Sequence, residues 1–481
     1  MKSSKLYAIL QSLDKSELRQ LDKFLHSPYL NDIKQKQKAY ELFELLKKNL
    51  LSGGETPDKE DVFDKIFEGQ NFSNAKMDKL MARLLKAVKR FIIYEYAGLE
   101  DQQLESLLIQ ARFYRQKNLH KFFQQSIRNL QTTQREVLRK DKQYYLNQYR
   151  IEQEISEYAG LYNSRKEDLN LPNTLKSLDE FYVTAKLEYA NWIIAQNNLH
   201  VPLQIQESLQ LLEQITPIIE SDFCTDRPVI EAYYYAYQLL KDKENEQIFT
   251  KLEKTIEQYS DAIPLEQLKA LQTICRSFCI RKYNQGQEAY LQKGFDLYKA
   301  HLEGGYLYYQ MGILPATVKN IVTFGMKLHE ADWVLAFLQA HKNRIVGTEF
   351  PQGIYQFNLA HYHFMLGQYD KALDLLNDYP ADTYYKIATR RLELKIYYEL
   401  HSPLLESKID SLKVYLFRIS RHLLPDLPKE ANNNFINLLR QIHNPQTMNN
   451  TKRIDKLQEK LLSKPHLERD WLMEKLEALK A

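Results

Sequence analysis

Few residues in this chain have the types and spacing that catalysis or metal binding requires. Cys275 and Cys279 lie four residues apart, so on a helix their thiols share one face and could supply half of a metal site. No second Cys or His pair with ligand spacing accompanies them, which favours two small buried apolar side chains. His329 and Glu330 lack the second His that a zinc-protease helix carries one turn later. The sequence therefore predicts no metal site.

Phosphate-binding loops are also missing from the sequence. None of the 14 glycines precedes a Lys, and no Gly-x-Gly-x-x-Gly motif occurs. His361 and His363 lie two residues apart, so on a helix they point about 200° apart and cannot hold one ion together. We therefore predict a non-enzymatic protein without a cofactor.

Five cations recur along a predicted helix that starts near Asn74. At about 100° per residue they form one stripe, and large apolar residues occupy the opposite side. The cations are Lys76, Lys79, Arg83, Lys86 and Arg90, and the apolar residues are Met77, Leu80, Met81, Leu84, Val88, Phe91 and Ile92. Three interpretations stay open: a solvated face above a core helix, a contact for an acidic protein partner, or a phosphate-binding surface.

Tyrosine is abundant, with 33 residues that often stand in runs such as the pair from Tyr384. Neighbouring residues on a helix point about 100° apart, so both rings of a pair cannot be buried on one face. Two interpretations follow: packing between helices with the hydroxyl in water, or aromatic anchors of a binding surface.

The elements that position these side chains are predicted to be almost entirely helical. Only 14 Gly and 15 Pro occur in 481 residues, too few for a structure rich in tight turns. The 44% of apolar residues suffices for a core, and the 27% of charged residues describes a solvated surface. A net charge of +4 is too small for a general attraction to nucleic acids or membranes.

The sequence also predicts a cytoplasmic protein without a membrane segment. No stretch approaches eighteen uninterrupted apolar residues, and Asp14, Lys15 and Glu17 interrupt the apolar residues near the N-terminus. Three cysteines are a sparse and odd set, which favours a reducing compartment over a disulfide framework.

The chain divides into three regions that differ in their pattern of helical runs and breaks. Residues 1–100 are predicted to form a helical N-terminal domain, in which Ser16 and Ser73 are placed to cap helices. Residues 101–464 alternate helical runs with short breaks, which predicts an array of paired helices. Residues 465–481 start at Pro465 and predict a C-terminal capping helix. Its apolar stripe consists of Leu467, Trp471, Leu472, Leu476 and Leu479.

Residues 356–384 resemble a tetratricopeptide repeat, whose pattern is W-x2-L-G-x2-Y, then A-x3-F, then P. Leu359 and Ala372 match the pattern, and Ala360 stands for the Gly where two helices approach closely. The departures from the pattern are Gln356, His363, Leu376 and Tyr384. A second echo lies upstream, where Trp333 and Ala336 repeat the spacing of Tyr369 and Ala372.

The resemblance implies an all-α fold, a right-handed α-solenoid of helical hairpins behind the N-terminal domain. It implies a scaffold or adaptor that binds a protein or peptide on its concave face, which the first helix of each hairpin lines. By matching positions, Phe357, His361 and Phe364 would be exposed on that face. The alternative is a nucleic-acid-binding regulator that uses the basic helix 76–90, with the array as a sensor or dimerisation arm.

Overall fold

A computed structural model confirms that the protein is all-α. It describes residues 4–27, 36–52, 56–96, 102–162, 169–197, 206–220, 227–376, 382–420, 424, 426–444, 447, 450–463 and 467–480. These residues form 23 α-helices, one short 3-10 helix and one two-stranded ribbon. None of the described helices combines the length and the apolar character needed to cross a lipid bilayer.

The helices run from the N-terminus in the following order. The first nine are α1 Lys5–Ser12, α2 Lys15–His26, α3 Lys36–Ser52, α4 Lys59–Ile66, α5 Asn74–Tyr96, α6 Gln102–Gln116, α7 His120–Glu136, α8 Lys142–Tyr162 and α9 Leu171–Asn197. The next seven are α10 Gln206–Ile218, α11 Pro228–Lys241, α12 Glu246–Tyr259, α13 Leu265–Asn284, α14 Ala289–Glu303, α15 Pro315–Lys327 and α16 Ala331–His341. The last seven are α17 Pro351–Met365, α18 Tyr369–Leu375, α19 Thr383–Glu399, α20 Leu405–Arg418, α21 Asp426–His443, α22 Thr451–Ser463 and α23 Arg469–Ala478. The 3-10 helix is Ser260–Ala262, and the antiparallel ribbon pairs β1 Tyr308–Tyr309 with β2 Gly312–Ile313.

The chain divides into two compact units. The first comprises residues 1–138 and 143–181, and the second comprises residues 139–142 and 182–481. Lys140 belongs to the second unit, where its N–H donates to the carbonyl oxygen of Ala262 at 3.0 Å. The division into two compact units is a different one from the predicted division into residues 1–100, 101–464 and 465–481, and that division stays a prediction.

Helices α1 to α5 of the first unit share one hydrophobic core. Leu10, Leu21, Phe43, Phe63 and Phe91 are fully buried in it. Burial of large apolar side chains is the main source of stability in such a cluster, at about 1.5–3 kcal/mol for each.

Two predicted helix caps had different outcomes. Asp14, and not Ser16, caps α2: its carboxylate accepts from the N–H groups of Ser16 and Glu17, and the Glu17 side chain accepts in return. Asp14 prevails because this reciprocal arrangement satisfies more of the free N–H groups at the helix start. Ser73 caps α5 as predicted, accepting from Lys76 N–H at 3.4 Å.

Consecutive helices of the second unit pack in pairs. The pairs are α11 with α12, α13 with α14, α15 with α16, α17 with α18, and α19 with α20. The second helix of each pair also contacts the first helix of the next pair, which is α21 after the last one. We call α11, α13, α15, α17 and α19 the first helices.

The connection between α17 and α18 lies within residues 356–384, the segment that resembles a tetratricopeptide repeat. Gly367 has φ +71°, a left-handed conformation that glycine adopts without steric cost. The N–H of Gly367 donates to Phe364 O and that of Gln368 to His363 O, so unpaired carbonyls at the helix end are satisfied. Ala360 and Ala372 are fully buried. Their small side chains allow the close helix packing that the sequence pattern predicts.

Candidate functional site

Glu468, just before α23, contacts two cations of the first helix α19. Its carboxylate accepts hydrogen bonds from Arg391 Nε at 3.0 Å and from Lys395 Nζ at 2.8 Å. Arg391 and Lys395 lie one turn apart on α19, so their side chains project from the same face. The two cationic side chains are 8% and 5% exposed, whereas that of Glu468 is 28% exposed. We call these three residues the Glu468 cluster.

The two cations determine the charge state of Glu468. Burial raises the pKa of this carboxyl, but the charges of Lys395 and Arg391 outweigh burial and hold the pKa well below its usual range. Arg391 also donates from Nη1 to Asn432 Oδ1 at 3.0 Å. Glu468 is therefore ionised at neutral pH, and the buried cations are paired, as buried charges must be.

The backbone of Glu468 is in an unfavourable conformation. Its φ of 56° and ψ of 37° are left-handed, which costs a residue with a Cβ about 1–2 kcal/mol. Glu468 occupies the N-cap position of α23, yet its side chain makes no capping hydrogen bond. The carboxylate is instead directed at Arg391 and Lys395. The ion pairs of the cluster therefore compensate for the strained backbone.

Asp470, two residues further along, contacts the first helices α13 and α15. Tyr283 Oη on α13 donates to Asp470 Oδ2 at 2.8 Å, and Lys327 Nζ on α15 pairs with the same oxygen. Burial raises the pKa of Asp470. The hydrogen bond from Lys327 and the charge of Lys327 together lower this pKa by more than burial raises it, so the net shift is downward. Glu468 and Asp470 together thus contact three first helices.

Helix α23 is held against the second unit by apolar contacts as well. Trp471 Nε1 donates to Glu399 Oε1 at 2.7 Å, and the indole meets the Tyr398 ring edge-to-face at 5.4 Å. Leu472 and Leu476 are fully buried. These residues belong to the predicted apolar stripe, of which Leu467 and Leu479 are half-buried, while the predicted helix start at Pro465 lies outside the described residues.

The predicted exposure of Phe357 and Phe364 is wrong. Phe357 is 5% exposed and packs edge-to-face on Tyr385 at 5.3 Å, because α17 and α19 are neighbours. Phe364 is 6% exposed and lies under the Lys395 ammonium, 4.4 Å from the ring centre. Both rings are therefore part of the core.

The third predicted residue, His361, is half-buried on α17. Its Nδ1 is buried without a hydrogen-bond partner among the described residues. Burial, and then the charge of Lys395, lower its pKa to about 3, and Lys319 and Lys327 act in the same direction. His361 is therefore neutral at physiological pH. It lies beside the Glu468 cluster and within the electrostatic influence of three lysines.

The half-buried Lys319 and the exposed Tyr384 lie on the side of this region that faces solvent. Lys319 Nζ on α15 donates to Tyr384 Oη on α19 at 2.7 Å, and Tyr384 is exposed whereas its neighbour Tyr385 is buried. Burial raises the pKa of the Tyr384 hydroxyl, but the charge and the hydrogen bond of Lys319, together with the charge of Arg391, outweigh burial, and the pKa is lowered. The charges of Arg391 and Glu468 also act on Tyr384. Lys319 and Tyr384 are therefore placed to meet a ligand from solvent.

The cations of the predicted basic stripe are exposed along α5. Lys76, Lys79, Arg83, Lys86 and Arg90 all lie at the surface. Among the apolar residues of the opposite side, Met77, Leu80, Met81, Leu84, Val88 and Phe91 are buried in the core of the first unit, and Ile92 is half-buried. The sequence pattern thus located both faces of this helix correctly. What the basic face contacts stays a prediction.

Cys275 and Cys279 are buried free thiols, as the sequence favours, and Cys224 lies outside the described residues. Burial raises the pKa of Cys279 to about 12 and that of Cys275 higher still, so neither is a reactive thiolate. Within the described ranges, no three His, Cys, Asp or Glu side chains converge as metal ligands.

The arrangement on the first helices suits the recognition of carboxylates. Arg391, Lys395 and Lys327 already pair with two of them, and Lys319 adds a further cation beside the cluster. The sequence offered no local signal for the Glu468 cluster, because its ion pairs join residues 77 and 73 positions apart. No family model, curated protein or solved structure matches this chain.

Proposed function

We propose that the second unit is a right-handed α-solenoid of tetratricopeptide-like hairpins and that it acts as a non-enzymatic scaffold. Its first helices bind an acidic segment of a partner protein on one shared face. The packing of consecutive helix pairs supports the solenoid. Helical-repeat proteins commonly use such extended faces for binding.

One observation carries the choice of an acidic partner. The face already holds the carboxylates of Glu468 and Asp470, which are paired by cations from α15 and α19. Including Lys319, the first helices contribute four cations to this region against two carboxylates. The surplus of positive charge favours a negatively charged ligand through electrostatic complementarity.

Lys319 and Tyr384 are the residues that we expect to contact the partner directly, with His361 behind them. They replace Phe357 and Phe364 in this role because both rings are buried within the chain. A half-buried cation that reaches the hydroxyl of an exposed aromatic ring provides both a carboxylate contact and an apolar surface.

The proposal is tested with an array of acidic peptides probed with the intact protein, followed by titration of the best binder by fluorescence anisotropy. Lys319→Glu combined with Tyr384→Ala should weaken binding by at least about tenfold, which is the loss of one charged contact. Lys413→Glu, at an exposed position on the second helix α20, is the matched control. Equal effects of both variants, or no peptide bound, would contradict the proposal.

The exposed basic stripe on α5 favours a second candidate, a regulator that binds nucleic acid. Five phosphate contacts predict that the logarithm of affinity falls with the logarithm of salt concentration with a slope of about −4.5. Lys79→Glu with Lys86→Glu should abolish binding to a DNA duplex, while Lys65→Glu on α4 should not. A flat salt dependence would leave the stripe as a solvated face.

A further inference from the structure

Helix α9 carries a line of apolar side chains on its outer face, which we call the α9 stripe. The stripe consists of Leu171, Leu175, Leu178, Tyr182, Ala185, Tyr189 and Trp192, so its spacing alternates strictly between four and three residues. The five largest exposed members, Leu171, Leu175, Leu178, Tyr189 and Trp192, are 38% to 62% exposed. Tyr182 and Ala185, at the centre, are half-buried. Monomeric proteins rarely leave five large apolar side chains in water along one face of a helix.

The opposite face of α9 is already used by the chain's own packing. Val183, Leu187, Ala190 and Ile194 are buried there. A helix that packs inside its own chain needs only one apolar face, and solvated side chains normally cover the rest. The second apolar face of α9 therefore points to a partner outside the chain.

The spacing identifies the partner's shape as another helix. An alternation of four and three residues is a 3.5-residue period, which is the signature of a left-handed coiled-coil seam. Leu175, Tyr182 and Tyr189 take the a positions of the heptad, and Leu171, Leu178, Ala185 and Trp192 take the d positions. The seam covers about three heptads and about 33 Å of helix, the minimum expected of a stable coiled coil.

The flanking charges identify the partner as a second α9 in antiparallel orientation. The e positions beside the seam hold Asp179 and Lys186. In an antiparallel pair, e faces e, so Asp179 meets the partner's Lys186 and the reverse contact repeats by symmetry. In a parallel pair e faces g, where Asp179 would meet Thr174 and Lys186 would meet Phe181, which gives no charge pair.

The packing layers agree with the antiparallel orientation. In that register Leu175 faces the partner's Trp192, Leu178 faces the partner's Tyr189, and Tyr182 faces the partner's Ala185. Tyr182, whose ring is half-buried and whose hydroxyl is buried in its own chain, thus meets the smallest side chain of the stripe at the centre of the pair. The Lys142 ammonium lies over one side of the Tyr189 ring, 4.5 Å from the ring centre, and Tyr189 is still exposed.

We propose that the protein is a homodimer joined by an antiparallel coiled coil of two α9 helices. Sedimentation velocity over a wide range of concentrations should show a monomer–dimer equilibrium for the intact protein. Leu175→Glu together with Tyr189→Glu should raise the dissociation constant by at least about a hundredfold, since both substitutions place charges in the seam. Phe417→Glu, at a strongly exposed apolar position on α20, should leave the constant unchanged.

Charge exchange tests the orientation. Asp179→Lys or Lys186→Asp alone sets like charges opposite each other only in the antiparallel pair, so each should weaken the dimer, and the double exchange should restore it. Unchanged thermal unfolding of each variant, measured by circular dichroism, shows that the surface changes leave the fold intact. A monomer at every concentration, or a dimer indifferent to the Leu175 and Tyr189 changes, overturns the proposal. A dimer indifferent to the charge exchange overturns the antiparallel arrangement.

Discussion

Replacing Glu468 by Ala should loosen the contact between α19 and α23. The change leaves Arg391 and Lys395, which are almost fully buried, without their carboxylate. Removing one partner of a buried ion pair costs about 3–5 kcal/mol. Glu468 is partly open to water, so we expect the lower end, about 3 kcal/mol. The pKa of Glu468 is depressed in the folded state, so its contribution is complete above the unfolded pKa of about 4.3 and is lost as the pH falls toward the folded pKa.

Glu468→Gly separates the ion pair from the backbone conformation. Glycine loses the same carboxylate but relieves a left-handed strain of about 1–2 kcal/mol. Glycine also has more conformational freedom than alanine in the unfolded chain. This freedom stabilises the unfolded state and cancels about 0.4–1 kcal/mol of the gain from the relieved strain. We therefore expect Glu468→Gly to be about 1 kcal/mol more stable than Glu468→Ala, and glycine is also preferred over alanine at the N-cap position that Glu468 occupies.

Hydrogen exchange followed by mass spectrometry measures the effect in the segments 383–399 and 469–478 of the intact protein. Exchange is followed in separate segments, so the measurement does not assume that the two units unfold in one cooperative transition. Glu474→Ala is the matched control, because Glu474 is exposed and makes only a surface pair with Lys475, worth at most about 1 kcal/mol. If Glu468→Ala changes exchange no more than the control does, or if the Gly variant is the less stable one, the reasoning about the cluster is refuted.

Three further predictions concern the core of the second unit. Phe357→Ala should destabilise the protein by about 3–5 kcal/mol, because it empties a buried site, and a lower melting temperature in calorimetry checks it. Ala372→Leu should cost about 1–3 kcal/mol by overpacking between α17 and α18, with the loss seen as faster exchange in 351–375. Cys275 and Cys279 should resist iodoacetamide at pH 8 in the native protein and react in urea, because burial raises both thiol pKa values; peptide mapping that finds either one alkylated in the native state contradicts this.

Local patterns in the sequence predicted local features well. The start of α5 at Ser73 and its two faces followed from residue types and a 3.6-residue period alone. The buried small residues Ala360 and Ala372 followed from the repeat pattern. Each of these depends on residues within one or two helical turns, where spacing translates directly into geometry.

Features that depend on contacts between distant parts of the chain could not be predicted from the sequence. Whether Phe364 faces solvent depends on Lys395, which lies over its ring from another helix. The Glu468 cluster depends on the return of the C-terminal segment to α19, which no spacing rule reports. The α9 stripe is different, because its alternation of four and three residues is readable in the sequence. It is hard to notice there because the opposite face of the same helix is equally apolar.

The segment 139–142 has a consequence for synthesis on the ribosome. Lys140 joins the second unit through Ala262, yet the residues on both sides of 139–142 belong to the first unit. At about 5–20 residues per second, Ala262 is made roughly 6–24 s after Lys140. Once residue 181 has been made, about 2–8 s after Lys140, the first unit has all of its own residues, while 139–142 still lacks its contact with Ala262. The nascent chain therefore carries an open loop at this point, which should be sensitive to protease until the second unit forms.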